Sequence, residues 1–240
     1  MALAQQRILV VGGTSGMGLA TARRLAQTDA EVFVSGRDAA RLRAACAVDN
    51  GRIRGVAADF TQAHALADLF DQVGQIDHLV LAASGHAAWG PFAQVGADAL
   101  RQALEHKLIG YWQTLQAALP RLRRDGSAVL LTGAASRTAI PGTAGLAAVN
   151  GAITQMAQTL ARELAPLRVN VVSPGLVDTP VYEAMPADAR AGLFSTTAAS
   201  LPVGRTGAAE EIAAVVEMLL DNAFVTGALI DVDGGARMPL

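Results

Sequence analysis

Short β-branched runs and longer stretches with helical spacing alternate along the whole chain. Arg7–Val11 (RILVV) is an apolar run of the kind a buried strand requires. Gly12, Gly13, Gly16 and Gly18 follow it, and then a helical pattern passes through Leu19, Ala22, Leu25 and Ala26. Glu31–Ser35 reads as a second strand closed by Gly36-Arg37. A helix from about Asp38 and a weaker strand at Arg52–Ala57 come next. His64–Val73 has helical spacing, and Asp77–Ala82 is a fourth strand. The amphipathic stretch Asp98–Leu119 predicts one long helix, stopped at Pro120. Ala128–Thr132, the helix Ala144–Leu164, Val169–Ser173, the helix Ala208–Leu220 and Ala228–Val232 complete the alternation. Pro174–Gly207 is the one long irregular stretch. It reads as a lid or substrate loop around residues 180–206 rather than as a domain boundary.

Strands alternating with helices imply an α/β fold with a parallel sheet of about seven strands, covered on both faces. No linker, repeat or low-complexity tract divides the chain, so residues 1–240 are expected to form one domain. Apolar residues make up 52% and charged residues 17%, which excludes disorder. Nineteen basic against 21 acidic side chains give a net charge of −2, so no footprint for nucleic acid is present. The one cysteine, Cys46, excludes an intrachain disulfide and makes a metal site an unpromising reading. No uninterrupted apolar run reaches the ~18 residues of a membrane span. The first strand begins at Arg7, which leaves little room for a targeting peptide, so a cytoplasmic protein is expected.

Chemistry enters with the glycines after the first strand. In Gly12-Gly13-Thr14-Ser15-Gly16-Met17-Gly18 the glycines let the backbone turn sharply and approach a ligand closely. The helix beginning near Gly16 would present unpaired N–H groups and its positive end to a pyrophosphate. A glycine cluster alone says little, but its place between a first strand and a helix points to a dinucleotide. At the end of the second strand an acidic residue would bond a ribose 2′-hydroxyl, whereas arginine suits a 2′-phosphate. Ser35-Gly36-Arg37 therefore favours NADP(H), unless Arg37 is an ordinary surface arginine.

With these residues in place the chain resembles the classical short-chain dehydrogenase/reductases over essentially its whole length. Gly12-x-x-x-Gly16-x-Gly18 matches that family's glycine motif, with Val11 where threonine is usual. Asp59, in Ala58-Asp59-Phe60, matches the acidic residue at the adenine, and Asp77 the opening of the fourth strand. Ala82-Ala83-Ser84-Gly85 keeps the glycine of Asn-Asn-Ala-Gly but neither asparagine. Ser173-Pro174-Gly175-Leu176-Val177-Asp178-Thr179 matches the segment that contacts nicotinamide. Thr226-Gly227 and Asp231–Gly235 match the last strand. The resemblance implies a three-layer, doubly wound Rossmann fold. It also implies a cofactor site drawing on Gly12, Thr14 to Gly18, Arg37, Asp59, Phe60, Ala83 to Gly85, Pro174, Gly175, Val177 and Thr179.

The family's mechanism uses a Tyr-x-x-x-Lys pair, an upstream serine and an asparagine on the preceding helix; the lysine cation makes the tyrosine phenol more acidic. Aligned without a gap, this chain has Leu146 at the tyrosine position, Asn150 at the lysine position, Gly133 at the serine position and Lys107 at the asparagine position. Lys107 is the chain's only lysine and Ala103 lies four residues before it, so no register restores the pair. Asn150 can still bond a ribose hydroxyl. Lys107 is the first candidate for a replacement proton donor, against a lysine that reaches out to solvent. His86, in the loop after the fourth strand, is the second, against a histidine at the rim. Tyr111, one helical turn after Lys107, reads as a core or interface residue. Thr132, Ser136 and Arg137 follow the fifth strand, where substrate contacts would come from, against loop-capping or surface residues. Trp89, Tyr182, Met185 and Phe194 read as pocket or lid lining, or as plain packing.

Two functions fit these residues. One is an NADP(H)-dependent reductase of non-standard mechanism acting on a small apolar ketone, imine or iminium, or activated alkene. The other is an NADP(H)-binding sensor or structural subunit without turnover. In both, the two long helices are rich in alanine and leucine. The resemblance gives that pair, and the segment through Leu240, as subunit interfaces, so a homotetramer is expected, with a dimer as the alternative.

Overall fold

A computed structural model describes residues 3–47, 51–83, 85 and 87–238. Its elements are β1 (Arg7–Val11), α1 (Gly16–Ala26), β2 (Glu31–Gly36), α2 (Ala39–Ala47), β3 (Ile53–Ala57), α3 (Ala63–Val73) and β4 (Ile76–Leu81), followed by α4 (Ala97–Ala103) and α5 (Gly110–Ala118). β5 (Leu122–Leu131), α6 (Ala144–Glu163), β6 (Arg168–Pro174), α7 (Ala187–Ser200), α8 (Ala209–Asp221) and β7 (Leu229–Val232) complete the chain.

The strands form one parallel sheet in the order β3-β2-β1-β4-β5-β6-β7. Strand side chains alternate between faces, so the apolar runs feed two cores at once. Leu9, Val11, Leu79, Leu81 and Leu130 point to the side of α5 and α6, where they meet Tyr111, Leu115 and Ile153. Ile8, Val10, Val80 and Val129 point the other way, to Ala22 and Leu25 of α1 and Val216 and Leu219 of α8. The strand order reverses between β1 and β4, which opens a crevice at their carboxyl ends.

Three expectations need correction. Residues 98–119 are not one regular helix: a π-helical segment, Leu104–Ile109, separates α4 from α5. Strand β5 starts at Leu122, with Arg123, Arg124 and Asp125 on its exposed end, where polar sequence masks the strand signal. The stretch 174–207 is not irregular throughout, because α7 occupies Ala187–Ser200. None of its residues is buried, so the apolar stripe that would announce a helix is missing.

Two buried titratable side chains serve the frame. Arg168 donates to the carbonyls of Leu219 and Leu220, both at 2.7 Å, closing the end of α8. Burial, with Arg168 nearby, pushes His78 down to about 4, so its ring is neutral in the core of β4, hydrogen-bonded to Gln6. No described helix is long and apolar enough to cross a membrane, and among the described residues no cluster of His, Cys, Asp and Glu could hold a metal.

Candidate active site

The loop between β1 and α1 is shaped by two close approaches. Gly12 has φ +81, and a Cβ on it would sit 2.6 Å from the Ala83 nitrogen. A Cβ on Gly18 would strike the Gly12 carbonyl, so Gly18 packs the helix against the loop and does not itself face the crevice. Ser15, at the N-cap of α1, makes no side-chain cap, which leaves the first N–H groups of the helix open. They face a cavity of about 450 Å³ walled here by Gly12, Thr14, Ser15, Gly16 and Met17.

The far end of this cavity carries Arg37, Asp38 and Arg41. Asp38 accepts hydrogen bonds from the N–H groups of Ala40 (2.8 Å) and Arg41 (3.0 Å). These bonds hold its carboxyl below the ordinary range and cap the start of α2. Two guanidinium groups therefore line the end where a dinucleotide's adenosine would lie. The cradle fits such a ligand: backbone donors where a pyrophosphate would rest, and paired cations where a 2′-phosphate would reach.

Phe60, Ala83, Gly85 and Thr179 also line this cavity. Asp59 does not line it. Burial pushes its carboxyl up, but the hydroxyl and N–H of Thr61 (2.8 and 3.1 Å), with Arg37 and His106 beside it, hold it below the usual value. Pro174, Gly175 and Val177 stand behind the wall. Val177 is core, and a Cβ on Gly175 would lie 2.8 Å from the Asp233 Cα. Ser84 and His86 lie outside the described residues.

A second cavity, of about 320 Å³, adjoins the first and shares Gly85 and His106 with it. Ala87, Ala103, Leu146 and Val149 make its wall mainly apolar, with Gln102, Lys107 and Asn150 as the other polar groups. The Lys107 ammonium donates to the Thr132 carbonyl at 3.1 Å and to Asn150 Oδ1 at 2.8 Å. It has three N–H donors, so one remains uncommitted among the described residues. Burial lowers its pKa to about 8. Gly133 and Leu146 fall beside this group, Gly133 within reach of the Asn150 amide and Leu146 on the cavity wall.

Tyr111 is fully buried. Its hydroxyl sits 2.9 Å from the Leu81 and Ala83 carbonyls and 3.2 Å from that of Leu131, and burial raises its pKa, so it is a frame residue. The Ser136 hydroxyl is spent on the Gly133 carbonyl, and Arg137 faces Asp231 at 3.5 Å. Trp89, Tyr182 and Phe194 form edge-to-face pairs, at 6.2 and 5.4 Å, that tie the loop after β4 to α7. Met185 closes the same turn through its N–H to the Tyr182 carbonyl.

Sequence reasoning misses Arg41 and His106. Arg41 had a usable signal in its place, the first turn of the helix that follows Arg37. His106 had none: neighbours in sequence diverge by about 100° on a regular helix, yet both His106 and Lys107 reach cavity walls from the π-helical segment.

Residues 11–237 match a family model described as enoyl-(acyl carrier protein) reductase. Over 98% of its length the chain is 30% identical to a protein of Acremonium sp named short-chain dehydrogenase/reductase ucsE, of which it covers 96%. It is 32% identical to the cis-4-hydroxycyclohexanecarboxylate dehydrogenase of Sinomonas cyclohexanicum, across 98% of this chain and 97% of that one. Among solved structures, a small-chain dehydrogenase in complex with NADPH superposes with a TM-score of 0.85 at 31% identity, covering 98% of this chain and 100% of the other.

Proposed function

The chain belongs to the short-chain dehydrogenase/reductase family, and on that premise we propose that it is an NADP(H)-dependent reductase of a small, apolar ketone, imine or activated alkene, working without the family's tyrosine. The observation that carries this reading is the Lys107 ammonium, held beside an apolar cavity with a donor to spare. Leucine at 146 has no proton to give. Lys107, with its pKa brought down to about 8, does.

Gly12 and Ser15 to Met17 would hold the pyrophosphate, Arg37 and Arg41 a 2′-phosphate, and Thr179 and Gly85 the inner end of the cofactor. When bound, the nicotinamide supplies a hydride. The chain's own contribution is threefold. The apolar wall of Ala87, Leu146 and Val149 keeps water from the reacting atoms. Asn150 and the Thr132 carbonyl fix the ammonium. Lys107 then gives one proton to the substrate oxygen or nitrogen and is left as a neutral amine, to be reprotonated from solvent. Positioning of this kind is worth ~7–11 kcal/mol of barrier, so loss of the usual acid does not by itself abolish reduction.

Residues 180–206, including α7, act in this reading as a lid hinged at the Thr179 end of the cavity, with Trp89, Tyr182 and Phe194 as its contact. The absence of a tyrosine–lysine pair also supports a second reading, a cofactor-binding protein without turnover. NADPH oxidation measured against cyclic ketones, cyclic imines and enones separates them: turnover supports the reductase, and NADPH binding without turnover across the panel supports the second reading.

A further inference from the structure

Asn150 is 6% exposed and donates its side-chain N–H groups to nothing among the described residues. Which way its amide points is settled by its neighbour. An ammonium can only donate, so the atom facing Lys107 Nζ at 2.8 Å must be the carbonyl oxygen, Oδ1. Nδ2 is then turned away from Lys107 and toward Gly133, where a Cβ would lie 3.0 Å from it and, its own chain neighbours aside, within 4 Å of no other described residue. Gly133 has φ 171, an extended conformation that any residue adopts. Glycine is therefore not demanded by the backbone there; what its lack of a side chain provides is the space of one methyl group beside the Asn150 amide, which itself lines the smaller cavity.

We propose that Asn150 Nδ2 is the group that holds the carbonyl oxygen of a neutral substrate, in the room left by Gly133, with Lys107 as the residue that orients and polarises the amide. This rests on the proposed reductase function and narrows its substrate. A ketone or enone oxygen has lone pairs for Nδ2 and for the spare Lys107 N–H. An iminium nitrogen has none, and its positive charge would be repelled by the ammonium. The substrate is thus a neutral acceptor, and a cation is excluded. Nδ2 carries two hydrogens, so one can still serve a cofactor hydroxyl.

The test uses the full-length protein saturated with NADP+, where no hydride is available and binding is read without turnover. The probes are cyclohexanone labelled with 13C at the carbonyl, 2-cyclohexenone, and the N-methylpyrrolinium cation. Donation from Nδ2 withdraws density from the carbonyl, so the labelled resonance should move downfield on binding. Gly133→Ala fills the room and Asn150→Leu removes the donor. Each should weaken cyclohexanone binding by about 3- to 10-fold, the effect of one hydrogen bond, and reduce the downfield shift. NADP+ affinity should stay within about threefold in Gly133→Ala, any loss of it in Asn150→Leu should be smaller than the loss of cyclohexanone affinity, and Lys107→Met should reduce the shift as well. The pyrrolinium cation should not compete.

Four results would overturn the proposal: no binding of either carbonyl probe by the wild type, unchanged probe affinity in both variants, competition by the cation, or a loss of NADP+ affinity in Asn150→Leu as large as the loss of ketone affinity, which would assign the amide to the cofactor. Failure of the wild type to bind NADP+ at all would instead remove the reductase reading on which the proposal stands.

Discussion

Arg37 and Lys107 show how much a single residue can say. Arg37 is legible because its place follows from the alternation of elements: it comes directly after β2, whose end is hydrogen-bonded to the loop after β1. Its removal is expected to erase a preference for NADPH over NADH of at least ~10-fold, which one charged hydrogen bond suffices to produce. Calorimetric titration of both cofactors into Arg37→Ala checks this, and an unchanged ratio would transfer the 2′-phosphate to Arg41 alone. Lys107 is legible for a different reason. It is the only lysine and aligns with a catalytic position, so its neighbourhood could be named in advance. Its hydrogen bonds could not. That the ammonium lies on Asn150 depends on two helices meeting across the end of β5, a non-local event. Gly133, which looks like a mere deletion in the sequence, acquires meaning only when the Asn150 amide is seen facing it.

At the scale of elements, what the sequence made legible is the strand set and the loop after β1, because buried parallel strands are continuous apolar runs. The π-helical segment and α7 were hidden. A π turn preserves composition while changing direction, and a helix with no buried face carries no period to detect. The start of α5 gives a sharp test of how the long helix is positioned. By propensity alone, Gly110→Ala should stabilise a helix by about 1 kcal/mol. Here the new methyl group would enter the ring of Phe60, with Cδ2 at 2.7 Å, and Phe60 in turn walls the cofactor cavity. Overpacking should win, costing ~1–3 kcal/mol in urea unfolding and weakening NADPH binding as the ring is displaced. A net gain in stability would mean that α5 can shift freely against α3 and its preceding loop.

Across the whole molecule, one sheet with two cores leaves an apolar outer face along residues 109–119. Ile109, Trp112 and Leu119 are 37%, 49% and 40% exposed, and the first two are a helical turn apart. We propose that this face packs against a second copy in a homotetramer; the segment at Leu240 also expected to contribute lies outside the described residues. Light scattering at micromolar concentration should give the mass of four chains, and Trp112→Glu should reduce it to that of two or one. A monomeric wild type would leave these side chains without a partner of their own kind. Lys107 stands on the wall of the apolar cavity that adjoins the cofactor cradle, so the account as a whole depends on what that residue does. The direct measurement is the rate of NADPH oxidation with a cyclic ketone, followed from pH 6 to 10 in wild type and Lys107→Met. Burial brings the ammonium to about pKa 8, and only its protonated form can donate. The wild-type rate is predicted to be level below about pH 8 and to fall as pH rises through it. Lys107→Met is predicted to be ~10²-fold slower or more and flat across the range, with NADPH affinity nearly unchanged. A Lys107→Met enzyme that keeps both the rate and the pH profile of the wild type would contradict the account.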